Sequence, residues 1–302
     1  MAYRAVFDPK REFGIELEGF GVSRSEIQVA LTEKNIATHI SDKFYKDVPK
    51  WTITVDGTVN QDSSLEIISP ILKGKTGLFQ IKKVCDALNE LEIKTDESCG
   101  LHIHWSATDF TGRHMINLLR LYGKYEKVLD FIFQPSRRQD YNQFAHTLLR
   151  EGSMNWLYKL QGGFYFHAYQ IAKSFETTQP TDNKSSQPTA RHHKVNICAY
   201  NKYHTIEFRQ HEGTFDFEKI KNWIIFSQQL INRAKDTQVY DGVATWESLM
   251  KTLALAESQL KQSLESPDKV YLREARDYYR KIYRENKKEG ENEHAIYLGS
   301  GV

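Results

Sequence analysis

The stretch Phe13-Gly14-Ile15-Glu16-Leu17-Glu18 decides the fold. Apolar and acidic residues alternate in it, and a period of two marks a strand with one face in a core and one face open. Ile15 and Leu17 suit the core, while Glu16 and Glu18 project together from the other face. Two later stretches repeat the pattern with different chemistry. Leu101-His102-Ile103-His104 places two imidazoles on one side, and Ile206-Glu207-Phe208-Arg209-Gln210-His211 places Glu207, Arg209 and His211 on one side. Glu66 interrupts the apolar run Leu65-Glu66-Ile67-Ile68. Together these segments describe a sheet with an apolar face and a face bearing at least three carboxylates and two imidazoles.

Working outward, Ser23 and Glu26 have capping-box spacing, which predicts a helix to about Asn35. Ile36–Ile40 and Trp51–Val55 read as short strands, and Asp56-Gly57 as a turn. Leu78, Ile81, Val84, Cys85 and Leu88 have helical spacing over Gly77–Asn89. A long helix is expected over Gly112–Phe133, with Met115, Leu118, Leu119, Tyr122, Tyr125, Leu129 and Ile132 as its core stripe. Ser174–Lys194, rich in Thr, Ser, Gln and Asn with two prolines, reads as a long loop. Val195–Tyr200 and Thr205–His211 read as paired strands. Asp216 is placed to cap a helix through Ile231, and Thr245 another through about Leu264. Between Lys261 and Glu291 nine Lys/Arg and seven Asp/Glu intermix, as on a solvated helix face. The fold class is α+β: a curved, mostly antiparallel sheet with helices packed on one face. Residues 1–235 read as the catalytic domain and 236–302 as a helical extension packed on it.

Clustered carboxylates repel one another unless a cation sits among them. Oxygen donors with an occasional imidazole suit Mg²⁺ or Mn²⁺, and the cysteines lack zinc spacing. A guanidinium such as Arg209 matches phosphate oxygens two at a time. A net charge of +2 implies no bulk attraction to nucleic acid or acidic membranes. Three cysteines without CxxC spacing, and an N-terminus without an apolar core, point to a reducing cytoplasm. No Gly-x-x-x-x-Gly-Lys-Ser/Thr loop occurs, which excludes a P-loop ATPase. Cys99 and His102 have opposite strand parity, which argues against a thiol nucleophile paired with that imidazole.

In chain order, Phe-Gly-Ile-Glu-Leu-Glu (13–18), Asp56-Gly57 followed by Leu-Glu-Ile-Ile-Ser-Pro (65–70), Cys-Gly-Leu-His-Ile-His (99–104), Pro-Ser-Arg-Arg (135–138) and Thr-Ile-Glu-Phe-Arg-Gln-His-Glu-Gly-Thr (205–214) resemble the amidoligases related to glutamine synthetase and glutamate–cysteine ligase. The resemblance spans about residues 11 to 232. It implies a glutamine-synthetase-like catalytic domain that uses ATP and two Mg²⁺ or Mn²⁺ ions. Glu16 and Glu18 would divide between the two ions, Glu66 joining Glu18, and His102 and Glu207 joining Glu16. Arg209 would hold the transferred phosphate, and His104 would sit near the acyl phosphate or the substrate. Arg137 and Arg138 match the family's arginine pair as candidates for phosphate or substrate carboxylate; the alternative is a helix-end pair on terminal carbonyls. Arg191 and Asn196 match an Arg-x-x-x-x-Asn element.

Two stretches depart from the pattern. Between Asp56 and Glu66, Asp62 is a second candidate for the metal, and Asp140-Tyr141-Asn142 blurs a substrate element. The implied activity joins a carboxylate to an amine through an acyl phosphate, with small-molecule or peptide substrates. A guanidino phosphotransferase and a non-catalytic nucleotide-binding module are the competing readings. Closure of the Ser174–Lys194 loop, with His192, His193 or Lys194 touching substrate, is expected to protect the activated acyl group. Assembly into a homo-oligomer is consistent with this reading.

Overall fold

A computed structural model of the chain describes residues 3–42, 49–57, 59, 64–139, 142–148, 167–178, 189–236, 242–261 and 267–299. Asp62, Asp140, Tyr141 and residues 179–188 lie outside them. The strands are β1 (Glu12–Gly19), β2 (Thr38–Ile40), β3 (Trp51–Val55), β4 (Leu65–Ile68), β5 (Leu72–Lys73), β6 (Gly100–Ser106), β7 (Val195–Asn196) and β8 (Thr205–Glu212). They form one sheet in the order β2-β3-β4-β1-β6-β8-β7, with β5 also paired to β1. Every pairing is antiparallel except β2 with β3. The class is α+β with a mostly antiparallel open sheet.

The helices are α1 (Arg24–Glu33), α2 (Gly74–Glu90), α3 (Gly112–Leu129), α4 (Ala168–Thr178), α5 (Tyr200–Tyr203), α6 (Phe217–Ala234), α7 (Trp246–Thr252), α8 (Glu257–Lys261) and α9 (Pro267–Gly299). Ile15, Leu17, Ile53, Ile67, Ile103 and Phe208 from the strands share one core with Ile27 of α1, Ile81 of α2, Leu118 of α3 and Trp223 of α6. Burying each such side chain contributes about 1.5–3 kcal/mol. That burial leaves the opposite side chains of the same strands for the site. Trp105 enters the core with its indole N–H donated to Ser227 Oγ at 2.9 Å.

Local signals explain several helix ends. Ser23 and Glu26 form the capping box, Glu26 N lying 3.3 Å from Ser23 Oγ and Ser23 N 2.9 Å from Glu26 Oε2. α1 stops at Glu33, and Asn35 follows in the left-handed region (φ +58°), which asparagine tolerates. Asp216 caps α6 through Glu218 N at 2.8 Å.

Four segments differ from the sequence reading. The α3 stripe is buried as expected, but the helix ends at Leu129, since Asp130 is drawn inward and a 3-10 turn follows. Ser174–Thr178 belongs to α4 rather than to a loop. β7 has only two residues, because Asn196 Oδ1 takes the Cys198 amide at 2.9 Å and turns the chain out of the strand. The helix capped by Thr245 breaks after Thr252, where Ala254 has φ +55°. α9 packs on α6 and on the turn after α3, Asn286 Nδ2 donating to the Phe131 carbonyl at 2.8 Å. No helix among the described residues is long and apolar enough to cross a membrane.

Candidate functional site

Strand register assembles the site. Glu16 pairs with His102, Glu18 with Glu66, and His104 with Glu207, all on the face opposite Ile15, Leu17 and Ile103. His102 is the hub. Its Nδ1 lies 3.0 Å from Glu16 Oε2 and 3.5 Å from Glu207 Oε1, and its Nε2 lies 3.5 Å from Glu18 Oε1. His104 Nε2 lies 3.1 Å from Glu16 Oε1, with its Nδ1 3.0 Å from Thr205 Oγ1. Two sets of donor atoms each converge within 4.8 Å: Glu16, His102 and Glu207, and Glu18, Glu66 and His102.

Backbone and amide groups hold these carboxylates. Gly100 N donates to Glu18 Oε2 at 2.6 Å, and Asn196 Nδ2 donates to Glu207 Oε2 at 2.7 Å. A Cβ on Gly100 would stand 2.7 Å from His102 Nε2, so the backbone approaches this closely only because residue 100 has no side chain. Arg209 donates Nη1 to Glu207 and Nε to the Phe144 carbonyl at 3.0 Å. Its own amide bonds to the Lys194 carbonyl at 2.9 Å.

A bulge corrects one expectation. Leu101 pairs with His211 but Ile103 pairs with Phe208, so two residues of β8 oppose His102 alone. Arg209 stays beside Glu207, while Gln210 and His211 both turn to the helical side. Gln210 bonds Tyr122 and Asp130, and His211 packs edge-on to Phe133 with centroids 5.6 Å apart. His211 therefore does not join Glu207 and Arg209 on the site face.

The electrostatics are those of crowded acids. Burial, then the charges of Glu16, Glu18 and Asp56, push Glu66 well above the ordinary carboxylate range. Burial and Asp56 also raise Glu18, against the pull of His102 and Arg209. Burial would raise Glu16 too, but His104 and His102 outweigh it and hold it well below its usual value. Glu207 is likewise lowered, Arg209 and His104 outweighing its burial. His104 is raised, since Glu16 and Glu207 overcome desolvation. Asp56, read from sequence as a turn residue at the head of a family motif but not named as a site residue, is thus an acid of the cluster. Its parity with Thr52 and Thr54 was the signal that could have found it.

Burial, then the charges of Arg209 and Arg191, push the His192 imidazole down to about 4, so His192 borders the Arg209 side of the site, and the other expected residues are held in different ways. Arg137 is 1% exposed and donates to the Cys99 carbonyl and, at 3.3 Å, to that of Glu97, so it braces the start of β6 rather than facing a ligand. Arg138 turns to the helical side, with Nε on the Phe133 carbonyl at 3.0 Å. Arg191 is exposed, its Nε 3.1 Å from His192 Nε2. Lys194 is fully buried, its Nζ 2.9 Å from Glu126 Oε1 and 2.7 Å from Asp130 Oδ1, which corrects the expectation that it touches substrate. His193 is also buried, with Nδ1 3.0 Å from the Thr147 carbonyl, and His192 is buried with its ring edge-on to Phe144. Burial pushes the Cys99 thiol up to about 11, against a role as nucleophile.

Beyond Glu16 and His104 the face opens into a groove lined by Gly14, Ser69, Pro70, Ile71, Tyr203 and Thr205. The face thus combines clustered oxygen and imidazole donors, an anchored guanidinium and an adjoining groove.

The chain matches the model of a family described as "Putative amidoligase enzyme" over residues 9–231. No curated protein matches it. Among solved structures, a bifunctional glutathione synthetase from Pasteurella multocida is similar at a TM-score of 0.43 and 12% identity, over 92% of this chain and 47% of that one. The chain thus spans about half the length of that protein.

Proposed function

The chain belongs to the amidoligase family, and from that premise we propose that it is an ATP-dependent carboxylate–amine ligase working through an acyl phosphate. The observation that carries this reading is the pair of donor sets sharing His102, with Arg209 bonded to Glu207 of one set. The donors fit hard divalent cations. Glu16, Glu18, Glu66 and Asp56 crowd one another enough to raise Glu66, and carboxylate oxygens with one imidazole are the ligands Mg²⁺ or Mn²⁺ accepts. Glu16, His102 and Glu207 would hold one ion, and Glu18 with Glu66 the other. Bound there, the ions supply charge neutralisation for a triphosphate. This assignment follows the motif order that resembles glutamine synthetase and its relatives.

The chain's own residues do the rest. The groove past Gly14 and Tyr203 offers room for a nucleoside beside the first donor set. Arg209, fixed by Phe144 and Glu207, presents a guanidinium to the phosphoryl group in transfer. The substrate carboxylate attacks the γ-phosphorus and ADP leaves. The amine then adds to the acyl carbon and inorganic phosphate departs, giving an amide. His104, between Glu16 and Thr205, is placed to hold a proton near the reacting groups. Catalysis on this reading is positioning and charge stabilisation.

The test is ADP release from ATP and Mg²⁺ with pools of carboxylates and amines, followed by mass spectrometry of the products. The reading expects ADP release that needs both pools and yields an amide. A stable phosphorylated product would assign a phosphotransferase instead, and the absence of nucleotide binding in calorimetry would leave a non-catalytic module.

A further inference from the structure

β1 carries two glycines, and they are glycine for different reasons. A Cβ on Gly19 would stand 2.7 Å from Phe215 Cζ, so packing excludes a side chain there. Among the described residues, a Cβ on Gly14 would meet only Ser69 Oγ, at an ordinary 3.6 Å. Gly14 is paired with His104, the β1–β6 register runs through it without a bulge, and its φ lies outside the left-handed region. Neither packing nor backbone conformation therefore calls for glycine at 14, although a glycine inside a strand weakens it. Close approach of another molecule to the strand is the use that remains.

The groove above Gly14 sets what can approach. Gly14 shares its face with Glu16 on one side and Glu12 on the other. The strand rise makes the run from Glu16 to Glu12 about 13 Å, long enough for a sugar and a base laid end to end beside the donor sets. Pro70 and Ile71, which follow β4, wall the groove on one side, and Tyr203 and Thr205 of the β8 side wall it on the other. Ser106 and Thr108 bring hydroxyls to its Glu12 end. Among the described residues that line it there is no arginine or lysine, and its two acids are Glu16 of the donor set and Glu12, which is paired with Lys73 at 2.9 Å. A polyphosphate or a substrate carboxylate would meet acids here and no lining cation. The groove suits the uncharged part of a ligand whose charge lies at the donor sets and Arg209.

We propose that Gly14 is a specificity-determining residue: the sugar ring of the nucleotide lies on the β1 backbone at Gly14, and the base continues between Ile71 and Tyr203 towards Ser106 and Thr108. The inference rests on the ligase reading, which puts the triphosphate at the donor sets. A side chain at 14 rises under the sugar and leaves the metal donors where they are.

Calorimetry on the whole chain in excess Mg²⁺, with ATP and with inorganic tripolyphosphate as probes, tests this in the wild type, Gly14→Ala and Gly14→Val. ATP should bind the wild type more tightly than tripolyphosphate. Gly14→Val should weaken ATP by about 10–200-fold, the range that a misfit of a methylene costs in a pocket, and Gly14→Ala by a smaller factor. Tripolyphosphate affinity should stay within twofold in both. Gly14→Ala should melt no lower than the wild type, since alanine is the better strand residue where space allows, so it keeps the test decisive if the valine variant does not fold. ATP affinity unchanged in the folded variants, equal losses for ATP and tripolyphosphate, or an alanine variant that melts well below the wild type overturns the role of Gly14 alone. A wild type that binds neither probe overturns the nucleotide reading together with it.

Discussion

The amide of Gly100 lies 2.6 Å from Glu18 Oε2, and a methyl group at Gly100 would stand 2.7 Å from His102 Nε2. One glycine thus orients a carboxylate of one donor set and leaves room for the imidazole that both sets share. Gly100→Ala is expected to displace His102 while the core on the other face of β6 stays packed. Mg²⁺ affinity should fall by about 10–100-fold, the usual loss when a ligand's support is removed. Calorimetry with Mg²⁺, alongside circular dichroism to confirm the fold, measures this; unaltered affinity would show that the approach of Gly100 to His102 is immaterial.

Glu66 gives a prediction about metal and pH together. Its folded pKa is raised, so the metal-free folded chain takes up a proton that the unfolded chain releases. The repulsion is fully present above the raised pKa and is relieved as pH falls through it towards the ordinary value near 4.5. In chelator, the wild type should therefore gain thermal stability relative to Glu66→Gln on mild acidification, and Glu66→Gln should melt higher at neutral pH. Excess Mg²⁺ should reverse the order at neutral pH, since the wild type has the better donor. Melting curves across pH, with chelator and with Mg²⁺, decide it; identical responses in the two proteins would remove Glu66 from the metal reading.

The parity of short strands carried most of the site in the sequence. Glu16, Glu18, His102, His104, Glu207 and Arg209 reach one face because their neighbours are core residues of the other. Pairing is a different matter. The bulge opposite His102 belongs to the β6–β8 ladder, and nothing in the alternation of β8 shows that Gln210 and His211 turn the same way. Lys194 was legible as a charge but not as a buried one, since its partners, Glu126 on α3 and Asp130 in the 3-10 turn after it, lie more than sixty residues earlier. Arg137 and Arg138 looked alike in sequence, yet one braces the Cys99 carbonyl and the other turns to the Phe133 carbonyl on the helical side.

Arg209 cannot be replaced by the other long cation. Its Nε reaches the Phe144 carbonyl while Nη1 meets Glu207, a planar fork that an ammonium does not reproduce. Arg209→Lys should lower turnover by about 100–1000-fold, as the loss of a charge-stabilising donor does elsewhere, with little change in melting temperature. Steady-state ADP release checks the rate and calorimetry checks nucleotide binding. Near-normal turnover in the lysine variant would mean that the guanidinium geometry is not used.

Lys194 links the buried interior to that guanidinium. Its Nζ sits between Glu126 and Asp130 with no exposure, and its carbonyl accepts the Arg209 amide at 2.9 Å. Glu126 also accepts the Leu148 amide at 2.9 Å, so the ion cluster ties together α3, the segment before β7 and the segment carrying the Phe144 carbonyl. Lys194→Met leaves two buried carboxylates without their cation, and breaking such a pair costs about 3–5 kcal/mol. Combining Lys194→Met with Glu126→Gln and Asp130→Asn removes the uncompensated charge, so the triple variant should recover much of that loss. Urea unfolding of the single and triple variants measures both steps. A triple variant no more stable than the single one would show that Lys194 matters through shape and not through its charge.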